Sequence, residues 1–267
     1  MIPCHYTRAK PNFGDMLAPI IMKFVSGQDI IYVSGNAEKK LLCVGTGLNC
    51  WLRAGDLVWG YGSRNTDVHG KIHVPEGVKF LAVRGQMTRE SILADNPGAE
   101  VPEVYGDPGI LMPMIYAPAV KKEFGVGLIP HYIDKVRFGK YSKDTKVIDV
   151  FSNPFKVIDD MNRCEVIIST SMHGVIVAES YGIPAVWLQV SNRILGCQFK
   201  FNDYFSGSGR GYTGPVQRMT GEITEKDLWG MRKSRLPDPT FEKEKLLNAW
   251  YGAAGEIESR GWNEGEE

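Results

Sequence analysis

The sequence carries no excess of charge of either sign, since 31 Lys and Arg residues balance 31 Asp and Glu residues. A neutral chain has no general electrostatic attraction for nucleic acid or for an anionic membrane surface. We therefore expect no nucleic-acid partner, and any anionic ligand must be held by a local group of cations. At 267 residues, 43% of them hydrophobic, the chain is long enough for one large or two compact α/β domains.

Cysteines are few and scattered, and long apolar runs are absent. The five cysteines, at positions 4, 43, 50, 164 and 197, form no C-x-x-C pair, so neither a disulfide framework nor a zinc knuckle is indicated. No apolar run approaches the roughly 20 residues that span a bilayer. The first residues do not resemble a signal peptide, and no His/Asp/Glu spacing matches a metal site. We expect a cytoplasmic protein with reduced thiols and no bound metal.

Short apolar runs alternate with helical stretches, which is the pattern of βα units. Most runs are continuously apolar, as in parallel strands that helices cover on both faces. The predicted strands are residues 41–44, 57–59, 80–83, 103–105, 126–129, 146–150, 166–169 and 185–188. The predicted helices are residues 15–25, 86–93, 155–162, 175–181 and 241–257.

A weakly patterned stretch around residues 109–120 contains Pro113 and Pro118, which favours a crossing between two halves. We place the domain boundary there, which predicts an N-terminal domain over residues 1–120 and a C-terminal domain over residues 121–267. The helix at 241–257 has one apolar stripe, so it is expected to dock, with the N-terminal domain as the candidate surface.

The stretch 166–188 is the most informative, since it has the pattern of strand, polar turn, helix, turn and strand. Ligands bind at the carboxyl ends of strands in open α/β sheets, where this turn falls. Ser169, Thr170 and Ser171, with the N–H groups of the following helix start, can hold an anion beside His173. The alternative is that these hydroxyls only cap the helix and that His173 is an ordinary half-buried histidine.

Residues 12–15, 80–85, 106–108 and 166–188 resemble, in the same chain order, four motifs of the polysaccharide pyruvyl transferase family. Residues 166–188 match its pattern of an apolar strand ending in Ser or Thr, then x-x-His-Gly, an apolar helix, Gly-x-Pro and a second strand. Residues 12–15 (Asn-Phe-Gly-Asp) are similar to its Asn-x-Gly-Asp signature. An apolar strand followed by Arg, at residues 80–85, and Gly-Asp-Pro at 106–108 complete the set, so the resemblance covers roughly residues 10–190.

The resemblance implies two Rossmann-like domains with parallel sheets, similar to the GT-B glycosyltransferase architecture, with the ligand in the cleft between them. It also implies phosphoenolpyruvate as the donor and two hexose hydroxyls of an exopolysaccharide repeat unit as the acceptor, which gives a cyclic pyruvate ketal and phosphate. No cofactor is needed. The acceptor oligosaccharide is expected to be lipid-linked, so contact with the inner face of the membrane would be peripheral.

Each candidate residue has a role within this chemistry and an alternative. An imidazole exchanges protons near neutral pH, so His173 is the candidate general acid/base. Asp15 either accepts a hydroxyl proton or caps its helix. Arg84, at a strand end, has two possible roles. It either forms a bidentate contact with the carboxylate or phosphate of the donor, or it forms an ion pair with an acidic residue at the surface. The candidate substrate-binding residues are Asn12, Gly14, Arg84, His131, Ser169, Thr170, Ser171, Gly174 and Arg193.

One departure from the family pattern changes the expected donor site. Many members have Arg two residues before the histidine, where this chain has Ser171, so another cation must take over, and Arg193 is the candidate. His131, after a strand, either meets the donor or is an ordinary loop residue, and Glu179 is expected to be structural. The Gly-rich loops at residues 45–47 and 60–63 complete no dinucleotide or P-loop fingerprint and would allow close approach of the acceptor.

Two other functions remain open. A nucleotide-sugar glycosyltransferase of the same architecture could use the helix start to hold a diphosphate and His173 as its base, because a fold does not fix a function. A non-catalytic sugar-binding subunit of a polysaccharide assembly complex is the second alternative.

Overall fold

The structure is a computed structural model that describes residues 1–8, 12–211, 217–218 and 221–262, with the backbone alone at residues 197, 217 and 218. The strands are β1 (Ile2–Cys4), β2 (Ile30–Tyr32), β3 (Leu41–Leu42), β4 (Leu57–Tyr61), β5 (Lys79–Val83), β6 (Phe124–Ile129), β7 (Thr145–Val147), β8 (Cys164–Ser169), β9 (Ala185–Gln189) and β10 (Gln217–Arg218).

The longer helices are α1 (Leu17–Ser26), α4 (Gln86–Asp95), α6 (Pro154–Asn162), α7 (Met172–Ser180), α8 (Cys197–Gly207), α9 (Glu225–Met231), α10 (Lys243–Tyr251) and α11 (Ala254–Ser259). Shorter turns of helix are α2 (Leu48–Trp51), α3 (Thr66–His69) and α5 (Met112–Ile115). Two 3₁₀ helices, Pro108–Leu111 and Lys135–Arg137, connect larger elements.

The strands form two five-stranded sheets in which every pairing is parallel. The first sheet has the order β2-β1-β3-β4-β5 and the second the order β10-β9-β8-β6-β7. Helices lie between most successive strands along the chain, so the predicted α/β class with parallel sheets is confirmed. The likeness to the GT-B arrangement and the boundary near residue 120 remain predictions.

Two sequence predictions of secondary structure are wrong. Residues 103–105 form no strand, because only Tyr105 pairs, through one bridge to Val83, before Gly106 turns the chain at a φ of +146° into the 3₁₀ helix Pro108–Leu111. The single helix expected at residues 241–257 is two helices, α10 and α11, separated at Gly252 and Ala253.

Helix α7 lies where the two sheets meet. Its first eight residues are all buried, which explains why its sequence is apolar on every side rather than along one stripe. It packs on the 3₁₀ helix Pro108–Leu111 and on β8 and β9, within an apolar cluster that also includes Leu17, Trp59 and Trp187. The N-terminal end of α7 is thereby fixed against both halves of the chain.

The C-terminal helices lie against the first sheet. The indole Nε1 of Trp59, in β4, donates to the backbone oxygen of Leu246 at 2.9 Å, and its ring lies 5.3 Å from that of Trp250 in α10. The N-terminal ammonium of Met1 donates to the oxygen of Trp262 at 2.9 Å. Among the residues that the structure describes, no helix has the length and apolar character that crossing a membrane requires.

Candidate active site

A cavity opens between the carboxyl ends of the strands of both sheets and encloses about 180 Å³. Loops after β3 and β4 line one side of it, and the loop after β6, the start of α7 and α8 line the other. This is where open parallel sheets bind ligands. The lining residues that carry polar side chains are Thr7, Asn12, Asp15, Thr46, Tyr61, Arg64, His131, Tyr132, Ser171, His173 and Lys200.

His173 is the second residue of α7, and a buried carboxylate faces its ring. Nε2 of His173 lies 3.4 Å from Oδ2 of Asp107, whose side chain has no exposed surface. Within the described residues neither of these two atoms has a hydrogen-bonding partner. Asp107 is held by its other oxygen, which accepts a hydrogen bond from Gly109 N at 2.9 Å. A carboxylate that faces an imidazole at this distance can fix the orientation of the ring.

The Asn-x-Gly-Asp motif forms the turn that faces the other side of the imidazole. Asn12 Nδ2 donates to Asp15 Oδ2 at 2.5 Å, and Gly14 N donates to Asn12 Oδ1 at 3.1 Å. A Cβ at Gly14 would stand 2.1 Å from His173 Nδ1, so only glycine leaves room for the ring. Asp15 is not the cap of α1, because Met16 occupies the N-cap position.

Asp15 is poised between its two ionisation states near neutral pH. Burial raises the pKa of Asp15 from 3.8 to about 6, against the opposing effects of His173, Lys200 and the hydrogen bonds from Asn12. A carboxylate with this pKa can accept a proton at neutral pH and release it again, which is the property of a general base.

His131 also lines the cavity, and it is uncharged at neutral pH. Burial, followed by the nearby charges of Lys200 and His173, lowers the pKa of His131 to about 3. Its Nδ1 accepts a hydrogen bond from Ile133 N at 3.3 Å, so the proton of the neutral ring belongs on Nε2. His131 can therefore donate one hydrogen bond to a ligand without adding positive charge.

Two of the three hydroxyls before His173 serve the fold. Ser169 Oγ accepts a hydrogen bond from Ser171 N at 2.9 Å and contacts the oxygens of Ile129 and Ser171, and Thr170 Oγ1 accepts from His131 N at 2.7 Å. Both residues are buried and neither lines the cavity, whereas Ser171 does. A Cβ at Gly174 would stand 2.3 Å from Ser169 Oγ, so glycine there permits this close packing.

Among the residues that the structure describes, the cations that line the cavity are Arg64 and Lys200, and neither was predicted from the sequence. Lys200 lies on α8, a helix that was not predicted, and Arg64 follows the Gly-rich loop after β4. Arg193 does not line the cavity: its guanidinium is exposed and donates to the oxygen of Ile133 at 3.2 Å. Asp15 is the one acidic residue in the described part of the lining, so the described part of the cavity is basic within a neutral chain.

Arg84 lies behind the cavity wall rather than in it. Its guanidinium is fully buried, and Nε donates to Asp203 Oδ2 at 2.8 Å. NH1 donates to Thr46 Oγ1 at 2.5 Å and to Gly45 O at 3.3 Å, so Arg84 holds the loop that does line the cavity. Asp203 is on α8 and also accepts hydrogen bonds from the backbone and hydroxyl of Thr88, at 2.7 Å each. The network therefore joins α8 to the first sheet.

Glu179 has the structural environment expected from its position on α7. Arg210 contacts it with both terminal nitrogens, at 2.7 and 2.9 Å, and Tyr204 OH donates to it at 2.6 Å. Of the aromatic residues near the site, Trp59 and Trp187 are buried in the core, and Tyr61 lines the cavity.

The fold and the cavity define the chain as an α/β protein with a small polar site where two parallel sheets meet. Its sequence matches the model of the polysaccharide pyruvyl transferase family over residues 28–192, which is more than half of the chain. The chain belongs to this family. The match includes β5 with the Arg84 that follows it, the Gly-Asp-Pro motif and the His173 motif.

Two further similarities were found. An uncharacterised protein of Acanthamoeba polyphaga mimivirus is 34% identical over 113 residues, which cover 39% of this chain and 39% of that protein. The chain thus matches about two fifths of the length of this curated relative. A solved structure of a functionally uncharacterised protein from Klebsiella pneumoniae subsp. pneumoniae NTUH-K2044 has a TM-score of 0.48 at 13% identity, over 82% of this chain and 93% of that chain.

Proposed function

We propose that this protein transfers the pyruvyl group of phosphoenolpyruvate to two hydroxyls of a hexose in a polysaccharide repeat unit. The observation that carries the proposal is the locally basic cavity in which Arg64, Lys200 and His173 meet, in a chain without net charge. A donor with a phosphate and a carboxylate needs such a group of cations. Membership of the family supports the same reaction class.

The size of the cavity favours this donor over a nucleotide sugar. Its volume of about 180 Å³ lies below the roughly 300–1,000 Å³ of pockets that hold larger organic ligands. A three-carbon enol phosphate is the smaller of the two donors. The basic cavity by itself therefore fits phosphoenolpyruvate, whereas the nucleoside of a nucleotide sugar would have to lie outside it.

The proposed reaction uses both hydroxyls and no redox step. One acceptor oxygen bonds to the carbon that carries the phosphate, the methylene carbon takes a proton and becomes a methyl group, and the carbon–phosphate oxygen bond breaks. The second hydroxyl then closes the ketal ring on the same carbon. The acceptor loses two hydroxyl protons. One is accounted for by the new hydrogen of the methyl group, and the other leaves with the phosphate. An acid and a base are needed.

His173 and Asp15 supply these roles in our proposal. His173, whose Nε2 faces Asp107 Oδ2 at 3.4 Å, donates the proton to the methylene carbon. Asp15 accepts the hydroxyl proton, because its pKa of about 6 leaves it ionised at neutral pH and able to take a proton back. His131 and Ser171 contribute uncharged hydrogen-bond donors to the donor's oxygens.

Lys200 and Arg64 take the place of the family arginine that Ser171 replaces, in preference to Arg193. Both line the cavity, whereas the guanidinium of Arg193 is turned to the oxygen of Ile133. Arg84 acts indirectly, since it holds Thr46 and anchors α8 through Asp203. We further propose that the acceptor is lipid-linked and that the enzyme works in the cytoplasm at the inner face of the membrane.

The test incubates the purified protein with phosphoenolpyruvate and a panel of hexose oligosaccharides. Phosphate release and formation of a ketal, detected by mass spectrometry, are measured together. We expect His173→Ala to abolish turnover and Asp107→Asn to lower kcat by about 10-fold or more with little effect on KM. His73→Ala, at an exposed position away from the cavity, is the matched control and should retain full activity. Phosphate release that His173→Ala leaves unchanged would refute the proposal.

A further inference from the structure

A second concave surface, the side groove, adjoins the cavity and shares the side chains of Ile194 and Leu195 with it. It encloses about 420 Å³ between α3 and residues 189–199. No Asp, Glu, Lys or Arg is among its described lining residues. A ligand that extended from the cavity would therefore pass from a charged environment into an uncharged one.

The polar lining of the side groove consists mainly of side-chain amides. Asn65, Gln189, Asn192 and Gln198 contribute them, and His69 adds an imidazole. Each amide offers both a donor and an acceptor, which matches the hydroxyl groups of a neutral sugar. This lining does not suit a phosphate or a carboxylate, which needs cations or several N–H donors.

Gln189 is the most buried of the four amides in the side groove. It is the last residue of β9, at the carboxyl end of a parallel strand, and only 7% of it is exposed. Its Nε2 donates to Asn192 Oδ1 at 2.9 Å, but its buried Oε1 has no hydrogen-bond donor among the described residues. An unpaired buried acceptor is costly, so a sugar hydroxyl that reached this oxygen would remove that cost.

Apolar side chains flank these amides. Val68 is 72% exposed and Leu195 is 57% exposed, so both offer unpartnered apolar surface at the edge of the side groove. Phe199, on α8, lies in the same lining, one residue before Lys200 of the cavity. Sugars present C–H faces as well as hydroxyls, and this combination of amides with apolar surface fits both.

We propose that the side groove binds the acceptor, as an uncharged hexose unit whose hydroxyl pair reaches the cavity past Ile194 and Leu195. This inference rests on the proposed transferase function and adds that donor and acceptor bind in two separate parts of the site. The charged cavity holds the anionic donor, and the amide-lined groove holds the neutral sugar. It also predicts that the acceptor next to the ketal position carries no uronic acid.

Two groove variants test the inference with matched controls. Val68→Trp fills the groove from an exposed position, and Val136→Trp, at a valine that is 84% exposed outside the groove, is its control. His69→Ala/Gln198→Ala removes polar lining, and His73→Ala/Gln86→Ala is its control. Binding of lactose, cellobiose and mannobiose is measured by saturation-transfer NMR, and binding of phosphoenolpyruvate by calorimetry.

We expect both groove variants to weaken disaccharide binding by about 5-fold or more while phosphoenolpyruvate binding stays within about 2-fold of wild type. Disaccharide binding that both groove variants leave unchanged, or a wild-type protein that binds none of the three sugars, overturns the inference. If the wild type binds disaccharide through the groove but releases no phosphate from phosphoenolpyruvate, the proposed function fails and the groove assignment stands. If transfer occurs and the groove variants transfer normally, the groove assignment alone fails.

Discussion

Asp15→Asn should stabilise the protein at neutral pH while it removes activity. Burial raises the pKa of Asp15 from 3.8 to about 6, so the folded protein holds this carboxylate ionised at a cost. Asparagine keeps an oxygen to accept the hydrogen bond from Asn12 and carries no charge. The substitution therefore raises the free energy of unfolding, and it removes the group that we propose as the base of the reaction.

The magnitude follows from the two pKa values. A pKa shift of one unit corresponds to roughly 1.4 kcal/mol, so the shift of the Asp15 pKa from 3.8 to about 6 corresponds to about 3 kcal/mol. Asp15 keeps some exposed surface, and solvent screening reduces the expected figure to about 2 kcal/mol. Because the folded pKa is the higher one, the wild type loses this stability as the pH rises from 3.8 to about 6 and loses no more above that value.

Urea unfolding of both proteins at several pH values provides the assay. The advantage of Asp15→Asn in the free energy of unfolding should be small at the most acidic pH that the fold tolerates, grow up to about pH 6 and then level off. An advantage that is the same at every pH, or a variant that is less stable at pH 8, would show that the carboxylate is not held ionised against its environment.

Two further substitutions test the packing around the site and the fold. Gly14→Ala places a Cβ 2.1 Å from His173 Nδ1, so turnover should be lost. Gly98→Ala is the control and should keep normal activity, because nothing lies within 4 Å of its new Cβ. Equal activity of the two variants would contradict the close contact between Gly14 and His173. Lys40→Met strands the carboxylate of Asp56, and both side chains are fully buried, so chemical denaturation should show a loss of about 3–5 kcal/mol. A loss below 1 kcal/mol would mean that Asp56 is not left charged in the interior.

The parallel α/β class could be predicted from the sequence because most strands are continuous apolar runs. β1 and β2 were missed: each has only three residues, and Pro3 lies inside β1. Nevertheless β1 lies within the first sheet beside β3. Helix α8 was missed too. Its buried aromatics Phe201 and Phe205 pack around Trp187, and their four-residue spacing was the available signal.

The motif residues of the candidate site were found, but their partners were not. His173, Asp15, Asn12 and His131 line one cavity, as their positions at strand ends and loop turns indicated. The contact between Asp107 and His173 could not be predicted, although Asp107 belongs to a recognised motif. It depends on the packing of α7 against the 3₁₀ helix Pro108–Leu111, which brings the carboxylate to the imidazole. Lys200 could not be selected, since its place depends on a helix absent from the prediction.

Arg84 shows why a strand-end position does not by itself assign a cation to a ligand. The position is at the predicted end of β5, but Asp203, 119 residues later, meets the guanidinium from the other half of the chain. Such long-range pairs leave no trace in local sequence patterns. The same pairing keeps α8, and with it Lys200, beside the first sheet.

The most direct test of the central claim is a crystal structure of the protein with phosphoenolpyruvate bound. We predict that the donor occupies the cavity in front of α7, with its phosphate or carboxylate oxygens within hydrogen-bonding distance of Lys200 or Arg64 and with His173 beside the reacting carbons. Donor density at another surface, or a donor held by Arg84 after the pair with Asp203 has opened, would contradict the account.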